Sequence, residues 1–457
     1  MSAAKLRRRA QRDTFGNSFG VLLALAGSAV GLGNLWRFPY LVGQNGGAAF
    51  IILYLIFVAL LGIPLMLSEF IIGRRSRANA RGAFRTLAPG TRWDLTGFIA
   101  VLCCTLILSF YSVVGGWGIE YFYKALRFDF TMGLTGDLST LFSGFTASTW
   151  RPLVCHTLFM LATGLIVAYG VKNGIERFSK VMMPLLFIIM IGIAVRSLTL
   201  DGAGAGIDYL FRPDWSKVTS HTVLDALGQA FFSLSLGSGM VITYASYVKA
   251  EANITKICIN TAVADTVFAL IAGCAIMPAV FAFAISPGEG PGLVFITLPY
   301  IFSQLPLGGV IALLFFLALL LAALTSSISI LEVVVAFAIE ELKLKRKTAV
   351  WLCMSFIWLL GCLCSLSLGR FGSELSLFGR SLFDLFDAIS ANVLMPLNAM
   401  LVVIFLGWKM GRGVIADELT NNGANNPPAW YTKSLYIIIR WLAPAAILAI
   451  ALFQWLG

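Results

Sequence analysis

Apolar residues run along this chain in long blocks, and Arg, Lys, Gly, Asn and Pro collect in the short stretches between them. A helix rises about 1.5 Å per residue, so roughly twenty apolar residues cross the hydrocarbon core of a bilayer. The pattern predicts eleven spanning helices, at 15–42, 47–73, 95–126, 150–171, 178–199, 222–248, 256–285, 308–340, 348–368, 382–408 and 433–456. In hydrocarbon an unpaired backbone group costs several kcal/mol, so spans must satisfy themselves as helices. The fold class read from the pattern is an all-α polytopic membrane protein.

Two blocks depart from it. The first span reads A-G-S-A-V-G-L-G-N-L-W-R-F-P from Ala26 to Pro39, with Gly27, Gly31 and Gly33 where a lipid-facing helix needs none. An unwound stretch at membrane depth survives when it is buried in protein or lines a site. Its freed carbonyls suit a small hard cation, and the start of the next half-helix suits an anion. Asn34 adds a side-chain oxygen, and Arg37 adds a charge that needs a partner or a watery cavity. A glycine-rich helix-packing face is the other reading of the same residues. The sixth span repeats the oddity, reading F-S-L-S-L-G-S-G from Phe232 to Gly239. Two interrupted spans five helices apart predict an inverted repeat, spans 1–5 (15–199) against 6–10 (200–410), with a site where the breaks meet. Residues 1–14 form a tail, and 411–457 a loop and the last helix.

Other spans add polar groups at depth. Thr325, Ser326, Ser327 and Ser329 interrupt leucine and alanine in span 8, and adjacent hydroxyls can share one cation. Hydroxyls that bond the preceding turn are the competing account. Asp265 in span 7 has no basic residue in its own span beyond Lys256 at the boundary, so a bound cation or proton traffic explains it best. Glu69 in span 2 suits backbone N–H groups freed in a broken helix.

Composition narrows the class further. With 59% hydrophobic residues, 12% charged residues and a mean hydropathy of +0.87, a soluble globule is excluded. The basic start (Lys5, Arg7, Arg8, Arg9, Arg12) leads into a span too long for a signal-peptide core. Counting loops alternately puts most Lys and Arg on the side of the N-terminus, which predicts a cytoplasmic N-terminus and, after an odd number of spans, an outside C-terminus. The net charge of +11 then serves the lipid bilayer, and no nucleic-acid partner is expected. The eight cysteines lack metal-ligand spacing, His156 and His221 stand alone, and no catalytic motif is present, so an enzyme is not expected.

The runs A-G-S-A-V-G-L-G-N-L-W-R-F-P-Y, Q-N-G-G-A-A-F, Q-A-F-F-S-L-S-L-G and L-T-S-S-I-S-I resemble the neurotransmitter:sodium symporter family, in its bacterial amino-acid branch. The match extends from about Arg12 through span 10. It implies the leucine-transporter fold and a sodium-coupled symporter of the bacterial cytoplasmic membrane, importing a neutral, bulky hydrophobic or aromatic amino acid by alternating access. By that resemblance one sodium touches the Ala29 carbonyl, Asn34, Ser233, Asp265 and the substrate carboxylate. A second is held by the carbonyls of Gly27, Val30 and Ala322 and the hydroxyls of Thr325 and Ser326. The substrate carboxylate is expected at the Leu32 and Gly33 amides and Tyr111, and its amino group at carbonyls of Ala29, Phe232 and Ser233. Ile107, Phe232, Ser235, Ser238, Ser327 and Ile330 are expected around its side chain. Arg37 with Asp387 should form an outer gate, and Arg12 with Glu340 an inner one near Tyr247.

Departures from the family pattern matter. Phe15 stands where the family has an inner tryptophan, and Asp265 stands where animal members have asparagine, which predicts no chloride requirement. Gly31 stands where amine transporters carry aspartate, so the substrate must bring its own carboxylate. The alternatives are an amino-acid sensor that does not transport and a proton-coupled carrier.

Overall fold

The computed structural model describes residues 13–130, 138–283, 292–421 and 427–456. Among them nine continuous helices are long and apolar enough to cross a membrane: Ala48–Ser76, Asp94–Leu126, Trp150–Ala168, Val171–Leu198, Ile254–Ala282, Gly308–Glu341, Arg346–Ser367, Leu382–Met410 and Ala429–Phe453. They match spans 2–5 and 7–11 of the sequence pattern. The first span is Ser18–Ala29 and Gly33–Gln44, bent by 55° at the glycines, and the sixth is Ser220–Ser233 followed by Met240–Ala245.

Local chemistry sets these breaks. Asn17 caps the first half-helix by accepting from the Gly20 amide, and the helix ends where Val30 turns extended. In the sixth span Thr219 and Thr222 form a reciprocal capping box at the start. Ser235, Gly237 and Gly239 then take positive φ of 55°, 80° and 79°, which ends the helix before it resumes at Met240. Gly237 has a second constraint, since a Cβ there would lie 2.2 Å from the Met395 carbonyl oxygen of the tenth span. The loosened backbone is satisfied from outside: the Gly237 amide donates to Glu69 at 2.6 Å, and Asn398 donates to the Gly237 carbonyl at 2.6 Å.

The fifth span starts at Val171, seven residues ahead of the hydropathy boundary, because Gly170 at φ 92° turns the chain and the wide turn Val171–Glu176 extends the helix. Polar stretches read as loops in the sequence contain short helices, Ala80–Leu87, Leu138–Ala147, Ala203–Phe211 and Arg412–Thr420, and Leu293–Gln304 lies between spans 7 and 8. They lie outside the spans because each is too short to cross hydrocarbon. A hairpin pairs Ser376–Leu377 with Arg380–Ser381 through Phe378 and Gly379, both with positive φ.

The third span packs along the fourth, eighth and ninth. Gly116 and Gly361 make room for His156, whose ring Nε2 meets the Trp358 carbonyl at 3.2 Å, so this histidine has a packing role. All eight cysteines are free thiols, and among the described residues no three His, Cys, Asp or Glu side chains converge as a metal-binding group.

Candidate functional site

The two breaks face each other in the interior. Ser235 of the sixth span donates to the Ser28 carbonyl of the first at 3.2 Å, and a Cβ on Gly33 would lie 2.7 Å from the Phe232 ring. Close backbone approach is therefore what the glycine at position 33 provides.

On one side of the breaks lies a carboxylate with no cationic partner in contact among the described residues. Asp265 is fully buried, and its Oδ1 accepts from Asn34 Nδ2 at 2.8 Å. Its Oδ2 takes a short hydrogen bond from the Ser233 hydroxyl and lies 3.5 Å from the Tyr54 hydroxyl, which also reaches Ser233 at 3.3 Å. Asn34 Oδ1 in turn accepts from the Gly31 amide at 3.2 Å. The structure thus brings Asn34, Ser233 and Asp265 from spans 1, 6 and 7 to one point. Neutral donors soften a buried negative charge without neutralising it. Tyr54 gave no sequence signal, because a tyrosine in an apolar run has no local pattern. Gln229, one helical turn before Ser233, is buried with both amide atoms unbonded among the described residues.

Span 8 meets the first break on the other side. Ser326 Oγ lies 3.3 Å from both the Gly27 and Val30 carbonyl oxygens, and Thr325 Oγ1 donates to the Ala322 and Leu321 carbonyls at 3.0 and 3.1 Å. Thr325 presses on the first span, since a Cβ on Gly27 would come within 3.1 Å of it. Four carbonyls and two hydroxyls from two helices therefore gather without a formal charge among them. Such an oxygen cluster suits a small hard cation.

Between the two clusters lies the Tyr111 hydroxyl, buried beside Ser326 and the Leu32 amide and without a hydrogen bond among the described residues. A Cβ on Gly31 would sit 2.7 Å from Ser326 Oγ and 3.4 Å from Tyr111 Oη, so position 31 faces this space. Ile330 is buried and Ile107 is half-buried in the adjoining apolar core. Ser238 donates to the Ser235 carbonyl at 2.6 Å, so its hydroxyl is spent inside the break. The Ser327 hydroxyl meets Thr163 of the fourth span at 2.8 Å. One residue is 100° of helix rotation, and Ser326 and Ser327 consequently serve different neighbours.

Arg37 and Asp387, expected as an outer gate, lie within electrostatic reach of one another. Among the described residues Arg37 has no close ion pair; its guanidinium lies 4.4 Å over the Phe232 ring and interacts through space with Asp387 and Asp225. A small pocket lies beside it, lined by Arg37, Phe231, Phe232 and Leu236 and by residues of spans 10 and 11.

The opposite approach, at the end where the first span begins, is shut. Phe15 is buried edge-on to Tyr244 and Tyr247, and its amide donates to the Tyr247 carbonyl. Of the expected Arg12–Glu340 pair, Arg12 lies outside the described residues; Glu340 accepts from the Asn79 amide and side chain at 2.9 Å. The ion pair found near Tyr247 joins Arg346 to Glu332 at 2.6 Å, with the Tyr247 hydroxyl donating to Glu332 at 2.7 Å and Arg346 also donating to the Val167 carbonyl. Glu176 adds a further tie, accepting from the Gly16 amide at 2.7 Å and from Lys180 at 2.6 Å.

Comparison with known proteins agrees with this geometry. The family model described as "Sodium:neurotransmitter symporter family" matches residues 12–139 and 137–456. The uncharacterized sodium-dependent transporter YhdH of Bacillus subtilis (strain 168) is 41% identical over 95% of this chain and 96% of its own length. An uncharacterized sodium-dependent transporter of Haemophilus influenzae is 37% identical, covering 96% and 97%. The crystal structure of MhsT in complex with L-phenylalanine aligns with a TM-score of 0.88 and 43% identity, over 97% of this chain and 100% of that one. The chain belongs to the sodium:neurotransmitter symporter family: it is a multi-pass sodium-dependent transporter of a small molecule and not an enzyme.

Proposed function

We propose that this transporter imports a bulky neutral amino acid, aromatic or branched aliphatic, together with two sodium ions and without chloride. The observation that carries the reading is Asp265, a buried carboxylate held by Asn34 and Ser233 with no basic side chain in contact. A sodium ion among Asp265, Asn34, Ser233 and the Ala29 carbonyl would neutralise it, and the substrate carboxylate would complete that shell. The second ion would take the oxygens of Gly27, Val30, Ala322, Thr325 and Ser326, with the two hydroxyls turning their lone pairs inward. Because Asp265 supplies the negative charge, an added anion is not needed.

The substrate carboxylate would use the unbonded Tyr111 hydroxyl and the amides of Leu32 and Gly33, leaving its amino group for carbonyls of Ala29, Phe232 and Ser233. Around its side chain Ile107, Phe232 and Ile330 are apolar, Ser235 is bonded to Ser28, and Ser238 is bonded to Ser235. A charged side chain would be buried there without an opposite charge, which is costly. MhsT binds L-phenylalanine in its crystal structure, which supports a large apolar substrate here by similarity.

Transport then follows from gating around a fixed site in the bacterial cytoplasmic membrane, with the basic end of the bundle inside, the N-terminus cytoplasmic and the C-terminus outside. Sodium and substrate favour closure above Phe232, and loss of the second ion frees the first half-helix from span 8. A ligand shifts such an equilibrium only by its differential affinity for the two states. The test is uptake of labelled phenylalanine, tryptophan or leucine by reconstituted protein: an inward sodium gradient should drive accumulation. Binding without uptake would identify a sensor, and uptake driven by a pH gradient alone would identify a proton-coupled carrier.

A further inference from the structure

Arg440 lies in the eleventh span, and among the described residues it has no carboxylate partner. Its guanidinium is surrounded instead by rings: Trp441 at 5.4 Å, Tyr436 at 5.6 Å and Trp408 at 5.7 Å. It also donates a short hydrogen bond to the Tyr436 hydroxyl, while its Nε is buried and unbonded. The acids of the segment between spans 10 and 11, Asp417 and Glu418, pair with Arg75 and Arg74, and the connecting sequence 422–426 contains no carboxylate.

The setting is a helix crossing on the outer surface of the bundle. Gly407 near the end of the tenth span lets that helix touch Arg440 directly, because a Cβ there would lie 3.1 Å from the Arg440 Cα. Wide turns occur on both helices at the crossing, Phe405–Met410 and Ile438–Leu442. Trp408 is 40% and Trp441 61% exposed, and only 28% of the eleventh span's apolar window is buried, against 39 to 67% in the other eight continuous spans. The cluster therefore looks outward. Trp408, Lys409 and Arg412 mark the basic end of span 10, and aromatic rings with cations mark the headgroup level of a bilayer.

An unpaired guanidinium at that level calls for an anion, and aromatic walls open to the membrane place the anion on a lipid. We propose that Arg440, Trp408 and Trp441 form a binding site for the phosphate headgroup of one anionic phospholipid in the leaflet at the basic end of the bundle. The planar guanidinium offers a bidentate fork to phosphate oxygens, and the indoles flank the headgroup and upper acyl chain. Basic pockets between spanning helices on this side are a general means of holding anionic lipid.

The test is native mass spectrometry of the full chain released from vesicles of phosphatidylcholine containing one-fifth phosphatidylglycerol, for wild type, Arg440→Gln and Lys433→Gln. Wild type and the Lys433 variant should retain one more phosphatidylglycerol than Arg440→Gln, with no matching retention of phosphatidylcholine. Equal retention by wild type and Arg440→Gln overturns the proposal. So does a wild-type dimer that Arg440→Gln dissociates with no lipid bound, which would make this face an interface between copies. Should Arg440→Gln fail to fold, Arg440→Lys keeps the charge and loses the fork. Its melting temperature should need at least fivefold more phosphatidylglycerol than wild type for the same rise, and an unchanged requirement overturns the site.

Discussion

At the scale of the residue, the proposed ion and substrate sites rest on single side chains. Replacing Thr325 and Ser326 together by alanine removes two neutral oxygens from the cluster shared with Gly27 and Val30. Sodium affinity, measured by displacement of radioactive sodium, should fall at least tenfold, about 1.4 kcal/mol. Unchanged affinity in the folded double variant would remove the second ion from this place. Ser238→Phe tests the size of the pocket: in a competition panel, tryptophan and tyrosine should lose far more potency than alanine. If bulky amino acids never compete in wild type, the size argument fails. The residue types were legible in the sequence, because hydroxyls and a carboxylate inside apolar runs need a reason. Their direction was less so. Ser326 and Ser327 are identical neighbours, and only packing reveals that one meets the first span and the other Thr163.

Elements hold these groups in register, and glycine and ion pairs do most of the holding. Gly73 lies against the second half of span 6, where an added Cβ would fall 2.1 Å from the Ile242 carbonyl oxygen. Gly73→Ala should therefore destabilise the fold by about 1–3 kcal/mol, read as a lower melting temperature in detergent. Arg346 closes the basic end through Glu332, whose side chain is fully buried. Removing one member of a buried pair leaves an uncompensated charge and costs about 3–5 kcal/mol. Arg346→Ala should thus speed hydrogen–deuterium exchange in residues 15–29 and 240–248, and unchanged exchange there would show that the pair does not hold the plug. Span positions were readable from hydropathy to within several residues, and the two breaks from glycine and serine at depth. The Arg346–Glu332–Tyr247 contact was hidden, since it joins the start of span 9 and the end of span 6 to the body of span 8 and leaves no periodic trace in any of them. The sequence places Arg37 at the first break but carries no sign that its guanidinium lies over the Phe232 ring.

For the whole molecule, family membership establishes a sodium-dependent carrier, and the structure brings its two broken spans face to face. If Asp265 supplies the negative charge at the first ion, replacing all chloride by gluconate should leave the transport rate unchanged, and a steep chloride requirement would show that another anion is needed. The central claim, that sodium binding at the breaks is coupled to movement of a bulky neutral amino acid, is tested most directly in proteoliposomes. With sodium outside and potassium inside, labelled phenylalanine, tryptophan or leucine should accumulate above its external concentration, and a sodium ionophore should abolish the accumulation while a protonophore leaves it in place. Uptake of these amino acids that is equal with and without sodium, or none at all despite saturable binding, would contradict it.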